Sequence, residues 1–245
     1  MAVVLVHGGG TTARFWDRLT PYLDGEPLAV DLPGRGAHPA DLATLTVEAE
    51  VDSVVADIEE SVPAGPLTLV AHSSGGLVVP GVVAALAGRV GAIVLNAALV
   101  PVEGGCGIHC MQERHRDGLR LAVAMAKEDG RTITLPGPPA DPEALRHAYG
   151  GDPLDDATLA FVVDPVRSVE DTVQHYFQPV HWSAAAGVPI TYVVNERDRP
   201  VRPEDQEVMV RRLPPPVEVI PVDSGHLLPV TSPGALAEIV TRVAV

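Results

Sequence analysis

Leu67-Thr68-Leu69-Val70-Ala71-His72-Ser73-Ser74-Gly75-Gly76, followed by a helical run over 77–86, decides the reading of this chain. Residues 67–70 make a strand, Ser-Ser-Gly-Gly makes a tight turn, and the run beyond has helical spacing. A serine at such a turn is forced into strained backbone geometry that projects its hydroxyl past the strand end. The residues two before and two after it must be small so that strand and helix can approach. Ala71 and Gly75 meet that requirement for Ser73. Ser74 fails it, because His72 would then occupy one of the small positions. A merely flexible Ser-Gly connection would not need a strand before it and a helix after it.

Working outward, apolar β-branched runs recur at 2–6, 28–30, 92–95, 190–194 and 217–222. They are nearly uninterrupted rather than alternating, the pattern of strands buried on both faces of a parallel sheet. Amphipathic stretches over 13–23, 47–60, 75–87, 203–212 and 233–243 supply the covering helices, the last with Ser232 as N-cap and Pro233 at its first position. The prediction is an α/β fold, a doubly wound, mostly parallel sheet of about six strands whose crevice lies beyond the carboxyl ends of the strands. The rhythm breaks between 102 and 182, where Leu135-Pro136-Gly137-Pro138-Pro139 and Gly150-Gly151-Asp152-Pro153 separate short helical patterns. Residues 1–101 and 183–245 are therefore read as the core, and 102–182 as a helical lid insertion over the carboxyl edge of the sheet.

A serine hydroxyl is a weak nucleophile at neutral pH until an imidazole takes its proton during attack. Of nine histidines, His226 in Asp223-Ser224-Gly225-His226-Leu227 directly follows the last strand, so it emerges at the same sheet edge as Ser73. His72 is expected to pack beside the turn and His7 to make a structural hydrogen bond. His38, His109, His115 and His147 are expected on the surface or lid, and His175 and His181 are candidates to line the pocket. The acid that orients the imidazole is assigned to Asp198, after the strand at 190–194, with Glu196 as runner-up too close to the strand end. Oxyanion donors are assigned to the backbone N–H groups of Ser74 and of Gly9 in His7-Gly8-Gly9-Gly10. A phosphate loop is the other reading of those glycines, but no lysine or spaced serine completes one.

A formal net charge of −15 repels phosphate backbones and anionic headgroups, which argues against nucleic-acid and acidic-membrane partners. Lys127 is the only lysine, so no basic patch is visible. Cys106 and Cys110 are too few for a disulfide framework and are compatible with a reduced loop pair. The first residues lead directly into the strand at 2–6 without a basic or long apolar stretch, and the expected location is cytoplasmic. A homodimer through the insertion or the last helices is compatible with the sequence.

Together, Val6-His7-Gly8-Gly9-Gly10, Asp31-Leu32-Pro33-Gly34-Arg35-Gly36, His72-Ser73-Ser74-Gly75-Gly76, Asp198 and Gly225-His226 resemble the α/β-hydrolase superfamily over the chain outside the insertion. Thr191-Tyr192-Val193-Val194 leading to Asp198 is similar to the branch of plant methylesterases and hydroxynitrile lyases. In the lyases a lysine follows the catalytic histidine and a threonine follows the first-loop histidine. Here those positions hold Leu227 and Gly8, so the resemblance implies the esterase side. It implies a serine carboxylesterase acting on a small ester-like molecule with catalytic Ser73, His226 and Asp198 and with no metal or organic cofactor. A lactonase, thioesterase or carbon–carbon bond hydrolase would use the same triad, and a small-ligand binding protein would keep the fold without the chemistry.

Overall fold

Val, Leu and Ile runs pair edge to edge in the computed structural model, which describes residues 2–86 and 88–244. Strands β1 (Ala2–Val6), β2 (Leu28–Val30), β3 (Leu67–His72), β4 (Val90–Asn96), β5 (Ile190–Asn195) and β6 (Val217–Val222) form one sheet in the order β6-β5-β4-β3-β1-β2. Its pairings are parallel, with Val6 beside both Val30 and Ala71, and Leu95 beside Tyr192. Strand order reverses at β1, so the chain leaves β1 and β3 in opposite directions and opens a crevice at their carboxyl ends. Gly8, Gly9 and Ser73 lie there.

Alternation along the central strands divides the core between two faces. Val4, Val6, Leu69, Ile93, Leu95 and Tyr192 face α1 (Val47–Ser61) and α2 (Val79–Ala85), which contribute Val54, Ile58, Val79 and Val82. Val3, Leu5, Val70, Val94 and Val193 face the other side, where Phe15, Trp16, Leu236 and Val240 cover them. Each such side chain contributes about 1.5–3 kcal/mol on burial, so the sheet needs both layers.

Between β4 and β5 the chain forms α3 (Glu113–Glu128), α4 (Pro142–Ala148) and α5 (Asp156–Val163). Two short antiparallel pairings, Gly105–Cys106 with Pro179–Val180 and Thr134–Leu135 with Asp171–Thr172, tie this stretch together. Its apolar residues join the two existing cores: Ile108, Tyr176 and Trp182 on one face, Leu145, Leu159 and Val162 on the other. After β5 come α6 (Pro203–Val210), α7 (Leu228–Thr231) and α8 (Pro233–Val243).

Several local expectations are corrected. The stretch 13–23 forms two 3-10 turns, Ala13–Arg18 and Thr20–Tyr22, rather than one helix. Pro21 brings no N–H and disfavours an α conformation at the residue before it. The helix expected over 75–87 is a 3-10 turn, Ser73–Leu77, followed by α2; Ala87 lies outside the described residues. Strand β6 has exposed Glu218, Val219 and Pro221, as suits an edge strand. Ser232 precedes α8, but its side chain makes no capping hydrogen bond. Cys106 and Cys110 are both free thiols, and burial pushes the Cys110 pKa up to about 12.

Candidate active site

Ser73 directly follows β3 with φ +52°, a left-handed conformation that costs a residue with a side chain roughly 1–3 kcal/mol. The surroundings enforce it. A Cβ at Gly75 would lie 2.5 Å from the His7 carbonyl oxygen and 2.9 Å from that of Val6, so only glycine lets the turn pack against the end of β1. The Leu99 amide donates to the Ser73 carbonyl at 2.8 Å and fixes the turn from the far side.

His226 and Asp198 come from the loops after β6 and β5. The His226 Nδ1–H donates to Asp198 Oδ2 over 2.6 Å, with both side chains buried. The other carboxylate oxygen of Asp198 accepts the Val201 amide at 2.8 Å. Asn195 braces the two loops: its amide group donates to the Gly225 carbonyl at 2.9 Å while its side-chain oxygen accepts from Asn96 at 2.8 Å. Glu196, the runner-up acid, is exposed and does not reach the imidazole. Ser73 and His226 line one small cavity of about 30 Å³, together with Gly8, Gly9, Thr11 and Phe15.

Two further histidines pack around this group. His72 Nε2–H donates to the His226 carbonyl at 2.9 Å, and its ring lies 4.6 Å from that of His226. Burial, followed by the neighbouring His226 charge, holds the His72 pKa well below the usual imidazole range, so the pair does not carry two charges at neutral pH. His7 accepts the Leu32 amide at Nε2 (3.1 Å) and donates from Nδ1 to the Gly8 carbonyl (2.8 Å). Burial, then the Arg35 charge, lowers its pKa from 6.5 to about 4. These are the packing and structural roles the sequence suggests for both. His38 pairs with Asp57 at 2.9 Å, His175 is fully buried against Glu50, and His181 is exposed beside Glu103, so neither of the last two lines the cavity at Ser73.

Gly9 borders the same cavity. A Cβ there would meet Asp171 Oδ2, the Tyr176 hydroxyl and Ser74 Oγ, so glycine is the residue that fits between the Ser73 turn and the insertion. Behind it lies a buried charged group. Arg35 pairs with both Glu50 and Asp171, and His175 Nδ1 lies 3.1 Å from Glu50. Burial favours a neutral Glu50, but the His175 and Arg35 charges and hydrogen bonds overcome it and lower its pKa to about 2. Asp171, His175 and Tyr176 belong to the insertion, so this group ties the insertion to the core beneath Gly9.

Asp152 is the functional candidate that the sequence reading missed. Its Oδ1 accepts from Ser224 Oγ (2.9 Å), the Gly225 amide (2.8 Å) and Thr231 Oγ1 (3.0 Å), and its Oδ2 accepts the Leu227 amide (3.0 Å). One carboxylate of the insertion therefore holds the backbone on both sides of His226. Gly151 allows the approach, since a Cβ there would collide with the Arg197 carbonyl. The signal available in sequence was the Gly150-Gly151 pair itself, which marks close backbone approach as readily as a turn. Tyr149 adds a ring stacked 5.9 Å from His226.

A profile of the α/β hydrolase family matches residues 3–239, and the chain belongs to that family. Within it the chain resembles the methylesterase-like branch. It is 24% identical to methylesterase 17 of Arabidopsis thaliana, over 99% of this chain and 91% of that protein. It is 28% identical to the lipase LipV of Mycobacterium tuberculosis, over 97% of this chain and 91% of that one. In fold it is similar to an extracellular α/β-hydrolase from a Paenibacillus species, with a TM-score of 0.79, 19% identity, and coverage of 100% of this chain and 99% of that one. Relatives named as esterase and lipase, at low identity, support a hydrolase.

Proposed function

We propose that this chain is a serine hydrolase that cleaves a small carboxylic ester through an acyl-enzyme, with Ser73 as nucleophile, His226 as general base and Asp198 as the acid that orients it. One observation carries the reading: His226, engaged through Nδ1 by buried Asp198, shares a cavity with a serine held at φ +52°. With Nδ1 committed, Nε2 is the nitrogen left to take the Ser73 proton.

In this mechanism Ser73 Oγ attacks the ester carbonyl as its proton passes to His226. The Asp198 carboxylate stabilises the imidazolium without taking its proton. Negative charge on the carbonyl oxygen is met by the backbone N–H groups of Gly9 and Ser74, and removing one such donor typically costs about 10²–10³ in kcat. Collapse expels the alcohol, which leaves with the proton from His226. Water, deprotonated by the same histidine, then releases the acid and regenerates Ser73. Neutral His72 at the back of the His226 ring keeps a second charge away from the imidazolium. The insertion, 102–182, serves as the lid over the core at 1–101 and 183–245, with its Gly150–Asp152 segment fixed rather than opening.

Turnover of short aryl esters by wild type, Ser73→Ala and Ser74→Ala tests the assignment. Ser73→Ala should lose activity by about 10³-fold or more with unchanged circular dichroism, while Ser74→Ala retains the nucleophile and most of the rate. Unchanged turnover in Ser73→Ala would defeat the reading.

A further inference from the structure

A second and larger space also reaches Ser73. This cleft of about 630 Å³ runs from Ser73 past Leu99, Met111, Tyr176 and Val201 to a rim formed by α3, α4 and the Asp198 loop. Its floor is apolar, and its rim carries Arg114, His115, His147 and Arg199. No aspartate or glutamate lines it, in a chain with 32 acidic residues against 17 lysines and arginines.

Arg14, Arg131, Arg167, Arg197 and Arg242 each sit on a carboxylate. Arg18, Arg89, Arg114, Arg120, Arg199, Arg211 and Arg212 have no carboxylate partner among the described residues, and of these Arg114 and Arg199 are the two that line the cleft. Arg114 touches only the His115 ring, at 3.3 Å, and Arg199 donates to the His147 carbonyl, at 3.1 Å. Two unneutralised guanidinium groups therefore border an apolar channel that begins at Ser73, while the surrounding field is negative. A guanidinium presents a fork of donors suited to a carboxylate.

We infer that the preferred substrate is an ester whose acyl chain ends in a carboxylate, with the chain lying along the apolar floor and the anionic end between Arg114 and Arg199. This deepens the proposed ester hydrolysis and rests on it. Both cations are exposed, so each contributes little, and together they should favour the anionic acyl group on the order of tenfold in kcat/KM, less at high salt.

The test compares p-nitrophenyl monoesters of six- to nine-carbon dicarboxylic acids with p-nitrophenyl alkanoates of equal length, using wild type and the R114A/R199A double variant. Calorimetric binding of the same compounds to Ser73→Ala runs beside it. The expected result is a preference of wild type for the ω-carboxylate that falls by about tenfold in the double variant and shrinks in 0.5 M salt. The ratio within each variant cancels any general loss of activity. Equal handling of both series by wild type, or a ratio that the double variant does not move, overturns the inference while leaving ester hydrolysis standing. Tight, charge-selective binding to Ser73→Ala without turnover by wild type would instead sink the hydrolase reading and support the anion site.

Discussion

Two parts of the insertion, α3 and the stretch from Tyr149 to Tyr176, meet the core by opposite means. Helix α3 lies on the surface with Ala126 as its buried residue, Leu121 and Met125 well exposed, and charged neighbours in solvent. The later part, from Tyr149 to Tyr176, drives carboxylates into the protein. Asp152 enters the His226 loop, and Asp171 meets Arg35 beneath Gly9. The difference teaches that the insertion is not a uniform lid. Its later part is a wall of the site held by buried charge, whereas α3 is a largely exposed rim on which side chains such as Leu121 and Met125 carry little of the stability.

The contrast breaks first at Arg35. Removing one partner of a buried charge network typically costs about 3–5 kcal/mol, so Arg35→Met should lower unfolding free energy by that amount. Urea denaturation checks it, and a loss under 1 kcal/mol would mean the later part is not held this way. Next is Asp152→Asn, which keeps the shape but loses one acceptor for the His226 loop. It should destabilise by about 1–3 kcal/mol and reduce kcat by roughly 10–100-fold with a much smaller change in KM. A loss confined to KM would place Asp152 in substrate binding rather than in holding the imidazole.

Acid should loosen the same wall. Glu50 has its pKa lowered from 4.5 to about 2, so its contribution is present above pH 4.5 and is lost as pH falls towards 2. His7, lowered from 6.5 to about 4, contributes above pH 6.5, and that contribution is lost as pH falls from 6.5 to 4. Resistance to thermal unfolding should therefore fall progressively from pH 6.5 downward, and His7→Gln should flatten the upper part of that profile. The smallest effect belongs to α3: Met125→Gln, at a side chain 57% exposed, should change stability by less than about 0.5 kcal/mol. A larger loss there would erase the distinction between the two parts.

Local signals carried the centre of the fold into view. Ser73 is legible because strand, small residues and turn are contiguous, and Asp198 and His226 because each follows its own strand. The runs at 2–6, 28–30 and 217–222 match β1, β2 and β6 in extent, although β6 is half exposed, since a continuous apolar run does not tell a central strand from an edge. The buried partnerships were not legible. Asp152 caps an amide 73 residues away, and Arg35 reaches Asp171 across 136 residues. No spacing rule links such residues. Pro21 is the residue in the sequence that breaks the stretch 13–23 into two turns.

The most direct test is intact-mass and peptide analysis after exposure to a fluorophosphonate, which reacts with a serine only when a neighbouring base activates it. One adduct should form, on the peptide bearing Ser73, and it should disappear in His226→Ala. An unlabelled protein, or an adduct on Ser74 that persists without His226, would contradict the account.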